Sequence, residues 1–419
     1  MISFLITALK IIFLLGFLIL IHEAGHFFVA KLCKVKVNEF AIGFGPTIWR
    51  KQGKVTKYAL RLIPLGGFVR MEGEEERSGE EGSFSEASIP KRMAIVAAGG
   101  IVNIIFALVV YFVLMACMGN NTSLIVDGTI ENYAAEVAGV MANDEIIKIN
   151  NNTVNIKNDI NKILEKSNGE EITLTVKRNG NLEELKLTPT KKEYKNTGIY
   201  LKGSGETTKI LTVAANSIAE KAGIQANDVI LKINDIQVNN GQDVVDIINR
   251  EEELTFLLKR GESEVSIKLT PEVLNNYYLG VYFRKAEDNL PNNLYYAVFE
   301  TRDFGFSIID NLKMLFTGNV RMNQLMGPVG ISEMVAKTNE VADFIYILAL
   351  ISLSLGVTNL LPIPALDGGK LLLLLIEAIR RKKLSEKTEI NIQLVGFALL
   401  ITISIVVAYN DILRIRRVI

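Results

Sequence analysis

Apolar residues in this chain of 419 are bunched rather than spread, and four runs approach the roughly 20 residues needed to cross a bilayer. The first runs from about Ile2 to Val29, broken by Lys10. The second is Met93 to Met118, entered through Pro90-Lys91-Arg92; the third is Phe344 to Leu361, and the fourth Ile392 to Tyr409. In hydrocarbon every backbone polar group needs an internal partner, so such runs predict helices. The expected fold class is therefore a multi-pass α-helical membrane protein with about four transmembrane helices, and the lipid bilayer is one partner. The first run is expected to be retained rather than cleaved, because no basic stretch precedes it and no clear small-residue cleavage site follows. Lys and Arg together equal Asp and Glu, 46 of each, which gives no reason to expect a nucleic acid as partner. Cys33 and Cys117 form no metal or disulfide pattern and are read as small buried hydrophobes.

Basic residues near the spans set orientation. Lys31, Lys34, Lys36, Arg50, Lys51, Lys54, Lys57 and Arg61 follow the first span, and Arg380-Arg381-Lys382-Lys383 precede the fourth. Both loops are expected in the cytoplasm, which leaves the long segment between spans two and three outside. Arg414, Arg416 and Arg417 argue the other way; the two internal loops agree with each other and outweigh them.

The first run carries His22-Glu23-Ala24-Gly25-His26. On a helix, positions i and i+4 share a face, so His22 and His26 can reach one metal ion. Glu23 stands beside them, placed to take a proton from a water activated by that metal. Both histidines of the chain are in this motif. A charged Glu inside a membrane segment costs roughly 2.5 kcal/mol or more and so needs a functional reason. A catalytic zinc usually has three protein ligands and an open position. Asn359-Leu360-Leu361-Pro362-Ile363-Pro364-Ala365-Leu366-Asp367-Gly368-Gly369 ends the third span, and its prolines and glycines cannot continue a regular helix. Asp367 there is expensive unless paired or bound to metal, which makes it the best remaining candidate for a third ligand. Glu377, on the apolar helical stretch that follows, is a weaker one.

Between the first two spans, residues 38–71 read as short strands and hairpins punctuated by Gly and Pro, lining a wet cavity or shielded by protein. Glu72 to Glu86 is acidic and reads as a solvated loop. The outer segment holds a repeat. Ala135 to Asn150 recurs as Ala219 to Asn234, each copy a short helix, a Gly stop, an Asn-Asp turn and a strand. A second helix (159–166; 242–249) and two strands (172–177 and 182–187; 254–259 and 264–269) follow, and each copy ends on a similar strand, 198–201 or 280–283. From Pro291 to Phe316 the aromatic and apolar residues suit an amphipathic helix on the outer leaflet or one packed on the outer module, and Gly327-Pro328-Val329-Gly330-Ile331 breaks the chain before the third span.

The string A-x-x-A-G-[VI]-x-A-N-D-x-I-x-K-I-N makes the two modules resemble PDZ domains, which hold an extended peptide by adding it to a sheet edge. Two tandem α+β PDZ domains with peptide ligands are the expectation. Together with H-E-x-x-H, G-F-G-P, P-L-G-G-F and N-x-x-P-x-P-x-L-D-G-G, they make nearly the whole chain resemble the site-2 protease family of intramembrane zinc metalloproteases, RseP type. That resemblance implies one Zn2+ per chain on His22, His26 and Asp367, Glu23 as general base, and Asn359, Pro362 and Pro364 placing an unwound substrate. It also implies substrates that are single-span membrane proteins, anti-sigma factors or remnant signal peptides, trimmed first by another protease. Gly100 stands where the family commonly has proline. The expected organisation is a membrane domain over 1–118 with a small membrane-associated β-sheet, PDZ modules over 119–202 and 203–290, a connecting segment over 291–342 and a second membrane domain over 343–419. A non-catalytic scaffold holding structural zinc has no need of Glu23, and a metal transporter predicts polar residues in several spans, of which the second and fourth have few.

Overall fold

The computed structural model describes residues 2–74, 76–119, 121–201, 207–214, 217–317, 327–336, 338 and 340–416. The expected boundary between the modules at 202–203, and Arg417, lie outside the described residues. The chain divides into a membrane unit, Met1–Gly119 with Asn293–Asp411, and a second unit built on Asn120–Asn292.

In the membrane unit, helix α1 (Ile2–Leu32) leads into strands β1 (Val37–Gln52) and β2 (Lys57–Met71), then helix α2 (Ile89–Met118). The two strands are long and irregular, and their pairing falls into short segments as expected: residues 39–42 find partners in both halves of β2, at 57–60 and at 67–70, and 49–52 form a hairpin with 57–60. Their Phe44, Ile48, Trp49, Leu60, Leu62 and Ile63 are exposed, an apolar surface suited to lipid. Four helices among the described residues are long and apolar enough to cross a membrane: Leu5–Leu32, Ile89–Met118, Val341–Leu360 and Glu386–Ile412. Cys33 is half-buried and Cys117 exposed, so only the first packs as expected.

The segment 72–86 is a solvated loop only in part: Glu76, Glu80, Glu81 and Glu86 are exposed, but two of its serines are not. Ser83 and Ser85 are buried, and both hydroxyls donate to the Ser78 carbonyl, at 2.9 and 2.7 Å. Lys383 Nζ donates to the Ser85 carbonyl at 2.9 Å and pairs with Glu86 at 3.0 Å. Acidic composition predicts solvation only where no cation lies opposite, and here the cations come from the far end of the chain.

The second unit contains β3 (Thr122–Thr129), α3 (Ala134–Val137), β4 (Glu145–Ile149), β5 (Asn152–Thr153), α4 (Lys157–Ser167), β6 (Ile172–Arg178), β7 (Asn181–Leu187), β8 (Thr190–Asn196) and β9 (Ile199–Leu201). The second copy follows as β10 (Ile210–Val213), α5 (Ile218–Ala222), β11 (Val229–Ile233), β12 (Ile236–Gln237), α6 (Gly241–Arg250), β13 (Leu254–Arg260), β14 (Ser263–Leu269), β15 (Glu272–Tyr278) and β16 (Val281–Lys285). The copies are nested rather than consecutive. β9 pairs with β10, and Ile199 and Leu201 pack on the second core; β16 pairs with β3, and Leu279, Val281 and Phe283 pack with the first. β8 and β15 pair over Asn196↔Glu272 to Thr190↔Tyr278, a two-stranded neck between the copies. The expected boundaries at 119–202 and 203–290 therefore assign each closing strand to the wrong module. In each copy a buried Asp is clasped by an Arg two strands on: Arg178 Nη2 lies 2.7 Å from Asp144 Oδ2, and Arg260 Nη2 lies 2.8 Å from Asp228 Oδ2.

In the membrane unit, α7 (Leu290–Phe316) packs on the membrane helices. Its Ala297, Phe304 and Ile308 pack with Ala107 and Tyr111 of α2 and with Ala349 and Leu353 further on. The residues from Pro328 expected as a break form a short helix, α8 (Pro328–Ala336); α9 (Val341–Leu360), α10 (Asp367–Arg380) and α11 (Glu386–Arg416) complete the chain. Gly100 meets α9, where an added Cβ would lie 2.8 Å from Leu360 Cγ and 3.0 Å from the Gly356 carbonyl oxygen.

Candidate active site

Helix α1 projects His22 and His26 from one face, Nε2 to Nε2 at 3.2 Å, with the rings nearly perpendicular at 83°. The chain then brings Asp367 to them from the far end of the sequence. After α9 it turns through Pro362 and Pro364, and Ala365 takes a left-handed φ of 72° while its N–H donates to Gln393 Oε1 at 2.6 Å. This turn folds back tightly on the start of α10, where a Cβ on Gly369 would stand 2.9 Å from Pro364 Cα. Asp367 is the first residue of α10, where the helix dipole favours an anion. Its Oδ2 lies 3.2 Å from His22 Nε2 and 3.4 Å from His26 Nε2.

These three atoms form a triangle with sides of 3.2, 3.2 and 3.4 Å. Tetrahedral zinc with bonds of about 2.0–2.1 Å has ligand–ligand edges of about 3.3–3.4 Å, so the donor set fits that ion. The protonation pattern fits too. His26 Nδ1 sits 2.8 Å from the Ile95 carbonyl, an acceptor only, so its proton is there and its Nε2 offers a lone pair. Asp367 Oδ2 is buried without a hydrogen-bond partner. A carboxylate oxygen facing an imidazole lone pair is repulsive until a cation stands between them.

Helix α2 makes this approach close. A Cβ on Gly25 would lie 2.7 Å from the Ala98 carbonyl oxygen, and one on Gly99 would lie 2.6 Å from His22 Cε1 and collide with His26 Nε2. The site cavity, about 220 Å³, is lined by the two histidines, Glu23, Asp367, the β2 residues Phe68, Val69 and Met71, and by Val96, Glu74 and Lys370. Lys370 Nζ pairs with Glu74 Oε1 at 3.0 Å, and both also line a larger neighbouring cavity of about 590 Å³.

Of the residues expected from sequence, His22, Glu23, His26 and Asp367 come together. Glu377 does not: it is buried in an ion pair with Arg92, Oε2 to Nη2 at 2.9 Å. Asn359 lies in the last turn of α9 and Pro362 and Pro364 on the connection between it and Asp367, and none of the three lines the cavity. Sequence reasoning missed Gly99, Asn103, Glu74 and Lys370 as neighbours of the site. Asn103 had a signal of its own, a polar side chain in an otherwise apolar span.

Residues 10–403 match the model of peptidase family M50. The chain is 31% identical to the regulator of sigma-E protease RseP of Escherichia coli K12, over 99% of this chain and 100% of that protein. It is 31% identical to the regulator of sigma E protease of Haemophilus influenzae, over 98% of this chain and 100% of that one. A PDZ domain of HtrA3, solved with a phage-derived ligand, aligns with 21% of this chain and 93% of its own at 22% identity and a TM-score of 0.19. A family match over nearly the full length, and relatives matched end to end, mean that this chain belongs to peptidase family M50.

Proposed function

We propose that this protein is a zinc endopeptidase that hydrolyses peptide bonds inside the membrane-spanning segment of single-span proteins already shortened by another protease. The observation that carries the reading is the His22–His26–Asp367 triangle beside Glu23, on a helix apolar enough to lie in the bilayer. His22 Nε2, His26 Nε2 and Asp367 Oδ2 would hold the ion, one per chain. When bound, zinc supplies Lewis acidity toward water and toward a peptide carbonyl. The Glu23 carboxylate takes the proton from the attacking water and delivers it to the departing amine nitrogen.

A helical substrate hides its carbonyls in i→i−4 hydrogen bonds and must be drawn out before attack. Residues 67–70 of β2 pair on one side with 39–42, and their sheet has no further strand among the described residues. Gly67 lies beside Glu23, whose Cγ would be 3.8 Å from a Cβ there. An extended substrate adding to that edge passes the base. Asn359, Pro362 and Pro364 help place it from the other side, as the family resemblance implies. The two nested modules are PDZ domains that take peptide ligands and select substrates; anti-sigma factors and remnant signal peptides are the classes that fit. Basic loops before and after the membrane helices put the active site toward the cytoplasm and the modules outside the cell membrane.

The test pairs wild type with Glu23→Gln in detergent, measuring zinc per chain and cleavage of a single-span substrate lacking its outer domain. Zinc in both with cleavage only in wild type is expected. Cleavage by the Gln variant removes Glu23 as the base, and a metal-free wild type removes the zinc.

A further inference from the structure

For His22 to give a lone pair from Nε2, its proton has to be on Nδ1, and something has to accept it. The group facing Nδ1 is the side-chain amide of Asn103, 3.5 Å away, within a few tenths of an ångström of an ordinary hydrogen bond. Asn103 is on α2 and fully buried at 0% exposure. Its backbone carbonyl accepts from Ser352 Oγ at 2.9 Å, which ties this point of α2 to α9.

The amide is placed with Nδ2 toward the ring, and Oδ1 is buried with no partner. Both facts argue for the opposite face. An NH2 group can only donate to Nδ1, and that leaves the ring proton on Nε2, 3.2 Å from His26 Nε2 and from Asp367 Oδ2, where it occupies the lone pair that a metal would need. Turning the amide by 180° about its last bond exchanges two groups of equal size without moving the backbone. Oδ1 then accepts Nδ1–H, its orphaned state ends, and Nε2 is free to coordinate.

We propose that Asn103 is a positioning residue that locks His22 in the Nδ1–H tautomer through Oδ1; the proposal rests on the zinc reading above. His26 has the corresponding partner from the same helix, the Ile95 carbonyl at 2.8 Å. Ile95, Gly99 and Asn103 are spaced i, i+4, i+8, so one stripe of α2 carries an acceptor for each ring, with the gap that admits both rings between them. Partners of this kind are worth roughly 10–100-fold in metal affinity.

The experiment measures Co2+ binding to the full-length protein in detergent, by chelator competition and by the visible absorption of bound Co2+. The chains compared are wild type, Asn103→Leu, Asn103→Asp and His22→Phe, alone and combined with Asn103→Leu. Leu keeps the volume and loses the acceptor; Asp keeps the acceptor and loses the donor. Asn103→Leu is expected to weaken Co2+ roughly 10–100-fold while Asn103→Asp stays within about threefold of wild type. In the His22→Phe background, Asn103→Leu should cost nothing further. Asn103→Ala replaces the Leu variant if melting shows that Leu does not fold. Equal losses in Leu and Asp assign Asn103 to packing and overturn the proposal, as does undiminished binding in Leu. A wild type that binds no Co2+ at all overturns the zinc reading and this proposal with it, a result distinct from either.

Discussion

Replacing Gly99 by Ala tests the site through a residue that touches no substrate. An added Cβ would lie 2.6 Å from His22 Cε1, where ordinary contact begins at 3.4 Å, so the ring must retreat by about 0.8 Å. It would also strike His26 Nε2. His26 is anchored by Ile95 at 2.8 Å, and a shift that relieves the clash breaks a ligand triangle whose sides are only 3.2–3.4 Å. Misplacing a reacting group by about 1 Å costs on the order of 10²-fold in rate. Overpacking of this kind costs about 1–3 kcal/mol in stability. The assay is zinc per chain and cleavage of a single-span substrate, with Gly128→Ala as control because nothing lies within 4 Å of a Cβ there. A Gly99→Ala protein that holds wild-type zinc and cleaves within about threefold of wild type would refute the argument that this glycine makes room for the rings.

Asp367→Ala removes one corner of the triangle and should leave the purified protein without stoichiometric zinc; unchanged zinc would show that the ion is held elsewhere. Excising 203–290 as a self-contained module should unfold the first one, because Leu279, Val281 and Phe283 go with it. Excising 197–271 and joining Asn196 to Glu272 through a short turn should leave it folded, since those two are already partners. Hydrogen exchange at β4 and β6 reads the difference, and equal protection in both would sink the nested topology. The hydrogen bond from Arg178 holds the Asp144 carboxyl below the usual carboxylate range. A lowered carboxylate contributes stability above its unfolded value of about 3.9 and loses it as pH falls through the folded value. Arg178→Ala should therefore destabilise the first module by about 3 kcal/mol at neutral pH, with the difference shrinking below about pH 4. A variant equally stable at pH 7, or one whose deficit persists at low pH, would contradict this.

The spans, the H-E-x-x-H pair, the partnership with Asp367 and the internal repeat were legible because each depends on local spacing or on a costly residue in an apolar run. Strand pairing was not. Residues 198–201 and 280–283 look alike in sequence, and nothing within either stretch says which sheet it joins; that is decided by β8 and β15, whose alternation is weak and which went unread. Segment 72–86 misled in part for a related reason, since its partners Lys370 and Lys383 are remote in the chain. Gly99 and Asn103 had meaning only once α2 was laid across α1, because a missing Cβ and an idle amide oxygen are facts about neighbours.

The exchange of closing strands also sets an order of events during synthesis. The first sheet is left at Leu187 and regained only at Val281, after the whole second copy has been made. Until then β3 has an open edge, and the core beneath it lacks Leu279 and Phe283. The second copy, whose strands β9 to β14 are contiguous, closes its contacts over short distances and so should be complete first. The module that begins earlier in the chain finishes later, and during that wait its unpaired edge is the surface a chaperone has most reason to cover.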